Sequence, residues 1–119
     1  MSHTGIHSGR SRRDANEPDV VDRLRKEGAL VTPIETAAVG DLHVQFRIRK
    51  GGPFCYSGTI EVKVPGAKLS ESQQTYKENA ERVGALYSVA HSPDEAVEAM
   101  RGWRKVLIAE AKKMSKGDV

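Results

Sequence analysis

The fold is decided by residues 42–64, which read LHVQFRIRKGGPFCYSGTIEVKV. Apolar and polar side chains alternate on both sides of the turn-forming residues 50–53, a pattern typical of strands with one buried face. Folding the segment about Gly51 aligns three apolar pairs: Leu42 with Ile60, Phe46 with Tyr56, and Ile48 with Phe54. A shift of one residue would pair apolar with polar side chains, whereas shifts of two residues keep the match. The sequence therefore predicts an antiparallel hairpin closed by a three-residue turn.

Local signals place a helix and a strand before this hairpin. Apolar side chains have helical spacing over residues 17–27, Pro18 suits the first turn, and Gly28 suits a left-handed end. Asn16 is the expected cap of the helix. Residues 29–34 are expected to form a short strand.

Two capping signals place helices after the hairpin. Ser70 and Gln73 have capping-box spacing at the start of a helix over residues 71–83. A strand over residues 85–90 follows, and Ser92 opens the last helix with a second capping box and a proline at the first position. The predicted order is α-β-β-β-α-β-α, which indicates the α/β class in its α+β form with a mixed sheet.

The last helix has an apolar face and a basic face. The apolar stripe contains Ala96, Met100, Trp103, Leu107 and Met114, and the opposite face contains Arg101, Lys105, Lys112 and Lys116. The stripe is long for so small a domain, so its far end is a candidate contact with a second copy. The basic face is either a solvated surface or a contact with a phosphate backbone.

Composition indicates one small domain with a polyanionic partner. The 119 residues suit a single domain over residues 14–115, between a flexible basic tail at 1–13 and a flexible end at 116–119. The single cysteine, Cys55, excludes a disulfide framework and a four-thiolate zinc site, and favours a cytoplasmic setting. The sequence contains neither a signal-peptide pattern nor an apolar run long enough to span a membrane. The net charge is only +3, but the basic residues gather at the two ends of the chain.

The polar face of the hairpin gathers residues with the chemistry of a metal site. The predicted register places Asp41 opposite Glu61, and Lys63 projects from the same face two residues further on. Two adjacent carboxylates repel each other unless a cation lies between them, and Mg²⁺ prefers such oxygen ligands. A lysine there can hold water or stabilise charge on a phosphate. The alternative is that these residues form the solvated side of a half-exposed strand.

A longer motif resembles a known family. Residues 58–73 read GTIEVKVPGAKLSESQ, similar to the signature of the VRR-NUC nucleases in the PD-(D/E)XK superfamily. That signature has Glu-x-Lys on a strand, a loop, and then Leu-Ser/Thr-x-x-Gln at the start of a helix. Residues 83–85 and 91–96 resemble the end of the family domain, and residues 13–18 resemble the first helix of small phage-borne relatives. The chain departs from the family at Val39-Gly40-Asp41, where the usual proline is missing.

The resemblance implies a restriction endonuclease-like α-β-β-β-α-β core with an additional C-terminal helix, and a set of site residues. The implied metal ligands for Mg²⁺ or Mn²⁺ are Asp41, Glu61, the carbonyl of Val62, and Glu17. The implied catalytic residues are Asp41, Glu61, Lys63 and Gln73. Gln73 can instead serve only the capping box, and Glu17 only the helix dipole. From the basic segments we expect DNA contacts at Arg12, Arg13, Lys68, Arg101 and Lys105.

The expected function is a metal-dependent DNA endonuclease that selects junctions, flaps or branched DNA. The resemblance also suggests a phage origin, which would place the protein in the host cytoplasm. A homodimer would suit junction cleavage, because two sites could then cut two strands. Two alternatives are a non-catalytic DNA-binding or assembly protein on a nuclease-like fold, and a nuclease acting on RNA.

Overall fold

The computed structural model describes residues 15–36 and 39–117. Its elements are α1 (Glu17–Lys26), β1 (Leu30–Pro33), β2 (Leu42–Arg47), β3 (Cys55–Val62), α2 (Glu71–Val83), β4 (Tyr87–Ala90) and α3 (Pro93–Ser115). This order confirms the predicted α-β-β-β-α-β-α succession and the α+β class. The predicted tail at 1–13, with Arg12 and Arg13, lies outside the described residues.

The four strands form one mixed sheet in the order β1-β2-β3-β4. The β1–β2 and β2–β3 pairs are antiparallel, whereas β3 and β4 are parallel because α2 connects them as a crossover. The parallel register places Thr59 beside Tyr87 and Glu61 beside Val89. The carboxyl ends of β3 and β4 therefore meet at one edge of the sheet.

The hairpin has the predicted register and a longer connection than predicted. The confirmed pairs are Leu42 with Ile60 and Phe46 with Tyr56. Pairing stops at Arg47 and Cys55, so residues 48–54 connect the strands and the prediction of a three-residue turn is wrong. Pro53 has no N–H to donate to the ladder. Phe54, which was expected to pair with Ile48, is 68% exposed instead.

Helices α1 and α3 cover one face of the sheet and form the core with it. The largest fully buried side chains are Leu24, Leu42, Ile60, Met100, Val20, Val44, Val62 and Val97. Gly58 lets α3 approach β3 closely, because a Cβ there would lie 2.5 Å from Trp103 Cζ3. The apolar stripe of α3 is buried as far as Trp103, whereas Met114 is 62% exposed. Within the described residues, no helix combines the length and hydropathy needed to cross a membrane.

The N-terminus of α1 is tied to the sheet by a side chain that was expected to cap the helix. Asn16 precedes α1, but its side chain makes no capping hydrogen bond, so that prediction is wrong. Instead, Asn16 Nδ2 donates to the carbonyl of Lys63 at 3.2 Å and to that of His91 at 3.1 Å. These carbonyls follow β3 and β4 and bind the donor end of the amide, whereas its Oδ1, the atom that a cap requires, is buried without a partner among the described residues. The start of α1 is thereby anchored where the two parallel strands end.

The later helices begin largely as predicted. Ser70 and Gln73 form a complete capping box at α2, and Gly84 ends the helix in the left-handed conformation with φ 77°. At α3, Ser92 accepts a hydrogen bond from the Glu95 N–H at 3.1 Å. The reciprocal half of that predicted box is wrong, because the Glu95 carboxylate accepts from the His91 N–H at 2.8 Å. This contact, with a second one from the imidazole, lowers the pKa of Glu95.

Candidate active site

Two buried carboxylates lie near the carboxyl end of β3. Glu61 is 3% exposed and Asp41 is 9% exposed. The regular pairing of β2 with β3 begins at Leu42 and Ile60, and the preceding Asp41 N–H also donates to the carbonyl of Ile60, at 3.0 Å. Asp41 Oδ2 also accepts from the Val62 N–H at 2.8 Å. The carboxylate of Asp41 is thus held against the main chain of β3 at the residue that follows Glu61, whereas the predicted pairing of Asp41 directly opposite Glu61 stays a prediction.

A glycine makes this position of Asp41 possible. Gly40 has φ 126°, a conformation that residues with a side chain rarely adopt. A Cβ at Gly40 would collide with Thr59 Cγ2. The chain therefore reaches β3 closely enough to place Asp41 beside Glu61 only because residue 40 has no side chain.

Gln73 makes the predicted capping-box contact and also binds Glu61, while its catalytic role stays a prediction. Its Oε1 accepts from the Ser70 N–H at 2.8 Å, which is the capping-box contact. Its Nε2 donates to Glu61 Oε2 at 3.1 Å. An amide has one acceptor end and one donor end, so anchoring the acceptor on the cap turns the donor toward Glu61. The start of α2 thereby orients a candidate site carboxylate.

Lys63 follows β3 on the same side as Glu61. Its N–H donates to the carbonyl of Ala90 at 3.0 Å, which continues the parallel ladder by one residue and keeps the alternation of side chains. Its own carbonyl accepts from Asn16. Across the described part of the chain, the Lys63 ammonium forms no ion pair within 4.0 Å. The half-buried lysine is thus positioned by its main chain while its charge is left for a ligand.

Tyr87 is a member of the site that the sequence did not reveal. It lies on β4 beside Thr59, so it shares the face of Glu61. Burial raises its pKa well above the ordinary value, and the negative charges of Glu61 and Asp41 raise it further. Its Oη is buried and has no hydrogen-bond partner among the residues that the structure describes. Its ring packs edge-on against Tyr76 with centroids 5.4 Å apart. The phenol is a neutral donor held beside two acids.

Glu17 is buried but does not join the two carboxylates. It is 5% exposed in the first turn of α1, next to the anchored Asn16. Residues 15–36 and 39–117 contain no group of three or more histidine, cysteine, aspartate or glutamate side chains placed to hold a metal ion. The role of Glu17 as a metal ligand therefore stays a prediction.

The expected DNA-contacting residues that are described lie on different surfaces. Lys68 lines an open groove of about 700 Å³ beside the start of α2, together with Ser70 and His91. Arg101 lies 3.7 Å from a Glu27 oxygen and 3.6 Å from a Glu98 oxygen, so its charge is partly compensated. Lys105 is exposed on α3. Lys68 is thus near the elements that carry Gln73, whereas Arg101 contributes to the contact of α3 with α1.

The donor set suits a hard divalent cation bound by two carboxylates. Asp41 and Glu61 would supply carboxylate oxygens, and Val62, whose N–H donates to Asp41, has a carbonyl that could serve as a further oxygen donor. Oxygen ligands with room for water are those that Mg²⁺ and Mn²⁺ prefer. The hydroxyl of Tyr87, buried without a partner in the described residues, is a polar atom that a hydrated ion would satisfy. The residues present fit such an ion with Asp41 and Glu61 as its anionic ligands.

Comparisons with family models, with curated proteins and with solved structures gave no match to this chain. The resemblance to the VRR-NUC nucleases therefore rests on the motif residues themselves and stays a prediction.

Proposed function

We propose that this protein is a metal-dependent deoxyribonuclease that hydrolyses phosphodiester bonds at the site formed by Asp41, Glu61 and Lys63. The observation that carries the proposal is the placement of the Asp41 carboxylate against β3 beside Glu61, with Gln73 bound to Glu61. The mixed sheet and the order of the elements support a restriction endonuclease-like core with α3 as an additional helix.

The chain's own residues have distinct tasks in the proposed reaction. Asp41 and Glu61 hold Mg²⁺ or Mn²⁺, which would supply Lewis acidity to the phosphodiester and lower the pKa of a water molecule. Gln73 keeps the Glu61 carboxylate in one orientation through its 3.1 Å hydrogen bond. The ammonium of Lys63 stabilises negative charge that develops on the phosphate. Tyr87 donates a hydrogen bond into the site as a neutral phenol.

The substrate class is proposed from the resemblance and is tested by comparing DNA forms. We infer a preference for junctions, flaps or other branched DNA over linear duplex. Val106 and Met114 are 55% and 62% exposed on the far half of α3, which supports a homodimer as the assembly that would cut two strands. Sedimentation measures the assembly, and parallel digestion of junction, flap, linear duplex and RNA measures the preference.

Cleavage with matched variants tests the proposed activity. Supercoiled plasmid and branched DNA are incubated with Mg²⁺, with Mn²⁺ and with a chelator. Because a single charge stabiliser at the reacting phosphate contributes about 10²–10³ in rate, Lys63→Ala should lower cleavage by about that factor. Lys113→Ala is the control, since Lys113 is exposed and pairs with Glu110 on α3. Full cleavage by Lys63→Ala, or cleavage in chelator, would refute the proposal.

Metal binding separates this proposal from the non-catalytic alternative. Titration calorimetry with Mn²⁺ should show binding to the wild-type protein and none to Asp41→Asn or Glu61→Gln. Binding of DNA by the wild-type protein, without Mn²⁺ binding that depends on these two residues, would favour a DNA-binding or assembly protein on this fold.

A further inference from the structure

A basic surface lies at the end of the hairpin opposite the candidate active site. An open concavity of about 760 Å³ there is lined by five cationic side chains, namely Lys26, Arg47, Arg49, Lys50 and Arg104. Its one acidic lining residue is Glu27, whose carboxylate lies near Arg23 and Arg101 at 3.8 and 3.7 Å. Lys26 pairs with Asp22 at 3.0 Å. The charge of the concavity is therefore strongly positive.

Three of these cations are available to a ligand. Among the described residues, Arg47, Arg49 and Lys50 form no ion pair with a carboxylate, and all three are exposed. None of them belonged to the predicted DNA-binding set. We call these three residues the hairpin-tip cations.

The main chain beneath the hairpin-tip cations is held by α3. Arg104 Nε donates to the carbonyl of Arg47 at 2.9 Å, and its guanidinium lies 5.7 Å from the centre of the Phe46 ring. One N–H of Arg104 is thus used, and the guanidinium has four others. The turn is closed by the Gly52 N–H, which donates to the carbonyl of Arg49 at 3.0 Å. The cations are carried by an ordered turn that is anchored to a helix.

An uncharged strip of sheet connects the hairpin-tip cations to the candidate site. Side chains alternate along β2, so His43, Gln45 and Arg47 project from one face, and Asp41 immediately precedes the strand. The register adds Thr32 and Leu30 from β1, and Thr59 and Ser57 from β3, to this face. Between Asp41 and Arg47 these paired strand residues include no carboxylate that would repel a phosphate backbone.

The distance along the strip suits a DNA duplex. Arg47 lies six positions after Asp41 in the sequence, and a strand rises about 3.3 Å per residue, so the two positions are about 20 Å apart. Base pairs are spaced by about 3.4 Å, so this distance corresponds to about six base pairs. We propose that the hairpin-tip cations bind the phosphate backbone of double-stranded DNA about six base pairs from the bond held at Asp41 and Glu61. This inference takes the position of that bond from the proposed function.

Binding measurements test the surface without requiring cleavage. Anisotropy of a labelled DNA duplex is recorded in chelator at several salt concentrations. Each phosphate contact contributes about 0.9 to the slope of log affinity against log salt, so Arg47→Ala/Arg49→Ala/Lys50→Ala should lower the slope by about two to three. The control removes the same charge elsewhere through Lys77→Ala/Arg82→Ala/Lys113→Ala and should change the slope by less than about one. Equal slopes for the two triple variants would overturn the inference.

Duplex length and charge-conserving variants sharpen the test. Binding to the wild-type protein should weaken when the duplex is too short to reach the tip, whereas binding to the alanine variant should be insensitive to that shortening. Arg47→Lys/Arg49→Lys/Lys50→Arg should restore the wild-type salt slope, since phosphate contact needs the charge. A rescue variant that binds like the alanine variant would overturn the inference. Thermal melting of each variant verifies folding.

The outcomes distinguish this inference from the proposed function. If Lys63→Ala loses cleavage while the hairpin-tip alanine variant binds and cleaves like wild type, the nuclease proposal stands and the second surface is refuted. If the wild-type protein cleaves no DNA but the hairpin-tip variant loses salt-dependent binding, the surface stands as a duplex-binding site and the nuclease proposal fails.

Discussion

Replacing Gln73 by glutamate separates the two contacts of this side chain. Glutamate also suits the third position of a capping box, so its carboxylate can still accept from the Ser70 N–H. The Nε2 donor, which lies 3.1 Å from Glu61 Oε2 in the wild-type protein, is lost, and a carboxylate oxygen takes its place. Helix α2 should therefore keep its cap while Glu61 loses its orienting partner.

The expected size of the effect follows from the charged acceptor. A hydrogen bond to a charged group contributes about 1.5–3 kcal/mol. If the bond is needed in the transition state, its loss lowers the rate constant of cleavage by about tenfold to a hundredfold, at one decade for about 1.4 kcal/mol. Ser70→Ala should have the opposite profile, because it removes a cap contact of about 1 kcal/mol and leaves the site chemistry in place. For a domain of this size that loss lowers Tm by about 4 °C.

Single-turnover cleavage of plasmid in Mg²⁺ gives the rate, and thermal unfolding gives Tm. Gln74→Glu is the matched control, because it makes the same change of charge at the adjacent residue. The Gln74 side chain donates to Glu78 at 3.1 Å on the exposed surface. If Gln73→Glu cleaved as fast as Gln74→Glu, the contact between Gln73 and Glu61 would have no part in the site. Because the new carboxylate also repels Glu61, the cap is judged in Gln73→Glu/Glu61→Gln, where that repulsion is absent; a large fall in Tm relative to Glu61→Gln would refute the argument that the cap survives.

Three further predictions concern Tyr87, Gly40 and Glu17. The phenol of Tyr87 should stay protonated in the folded protein well above the ordinary tyrosine pKa of about 10, because burial and two nearby carboxylates raise its pKa. The contribution of the neutral phenol to stability is thus present below about pH 10 and is lost as the pH rises further. Tyr87→Phe should therefore unfold less readily in urea than wild type in alkaline buffer. Identical urea unfolding curves for the two proteins in alkaline buffer would contradict this. Gly40→Ala should lower both Tm and Mn²⁺ affinity because its Cβ meets Thr59 Cγ2, and Gly40→Ala/Thr59→Ser should recover part of both; no recovery would show that the clash is not the cause. Glu17→Gln tests the predicted ligand role of Glu17, which is 5% exposed in the first turn of α1 next to Asn16: that role requires weaker Mn²⁺ binding by calorimetry than in wild type, and wild-type affinity would exclude it.

Several features of this protein can be predicted from the sequence because they depend on local sequence patterns. Alternation of side chains determines which residues of a hairpin can share a buried face, so the pairing of Leu42 with Ile60 was predicted and is confirmed. The same holds for the capping box of Ser70 and Gln73, whose partners are three residues apart. Local patterns were less reliable where a side chain binds a distant segment, as for Asn16, and at the hairpin connection, where pairing ends at Arg47 and Cys55.

Other features depend on which distant segments the fold brings together. Tyr87 shares a sheet face with Glu61 because β3 and β4 pair in a parallel register across the α2 crossover. The residues next to Tyr87 and Glu61 in the sequence do not predict that register. The same is true of Arg104, which meets the carbonyl of Arg47 from a helix far along the chain. Helix capping and side-chain alternation depend on residues close together in the chain, so the sequence predicts them. Packing between elements depends on shape and burial over the whole molecule, so it becomes visible only once the chain is folded.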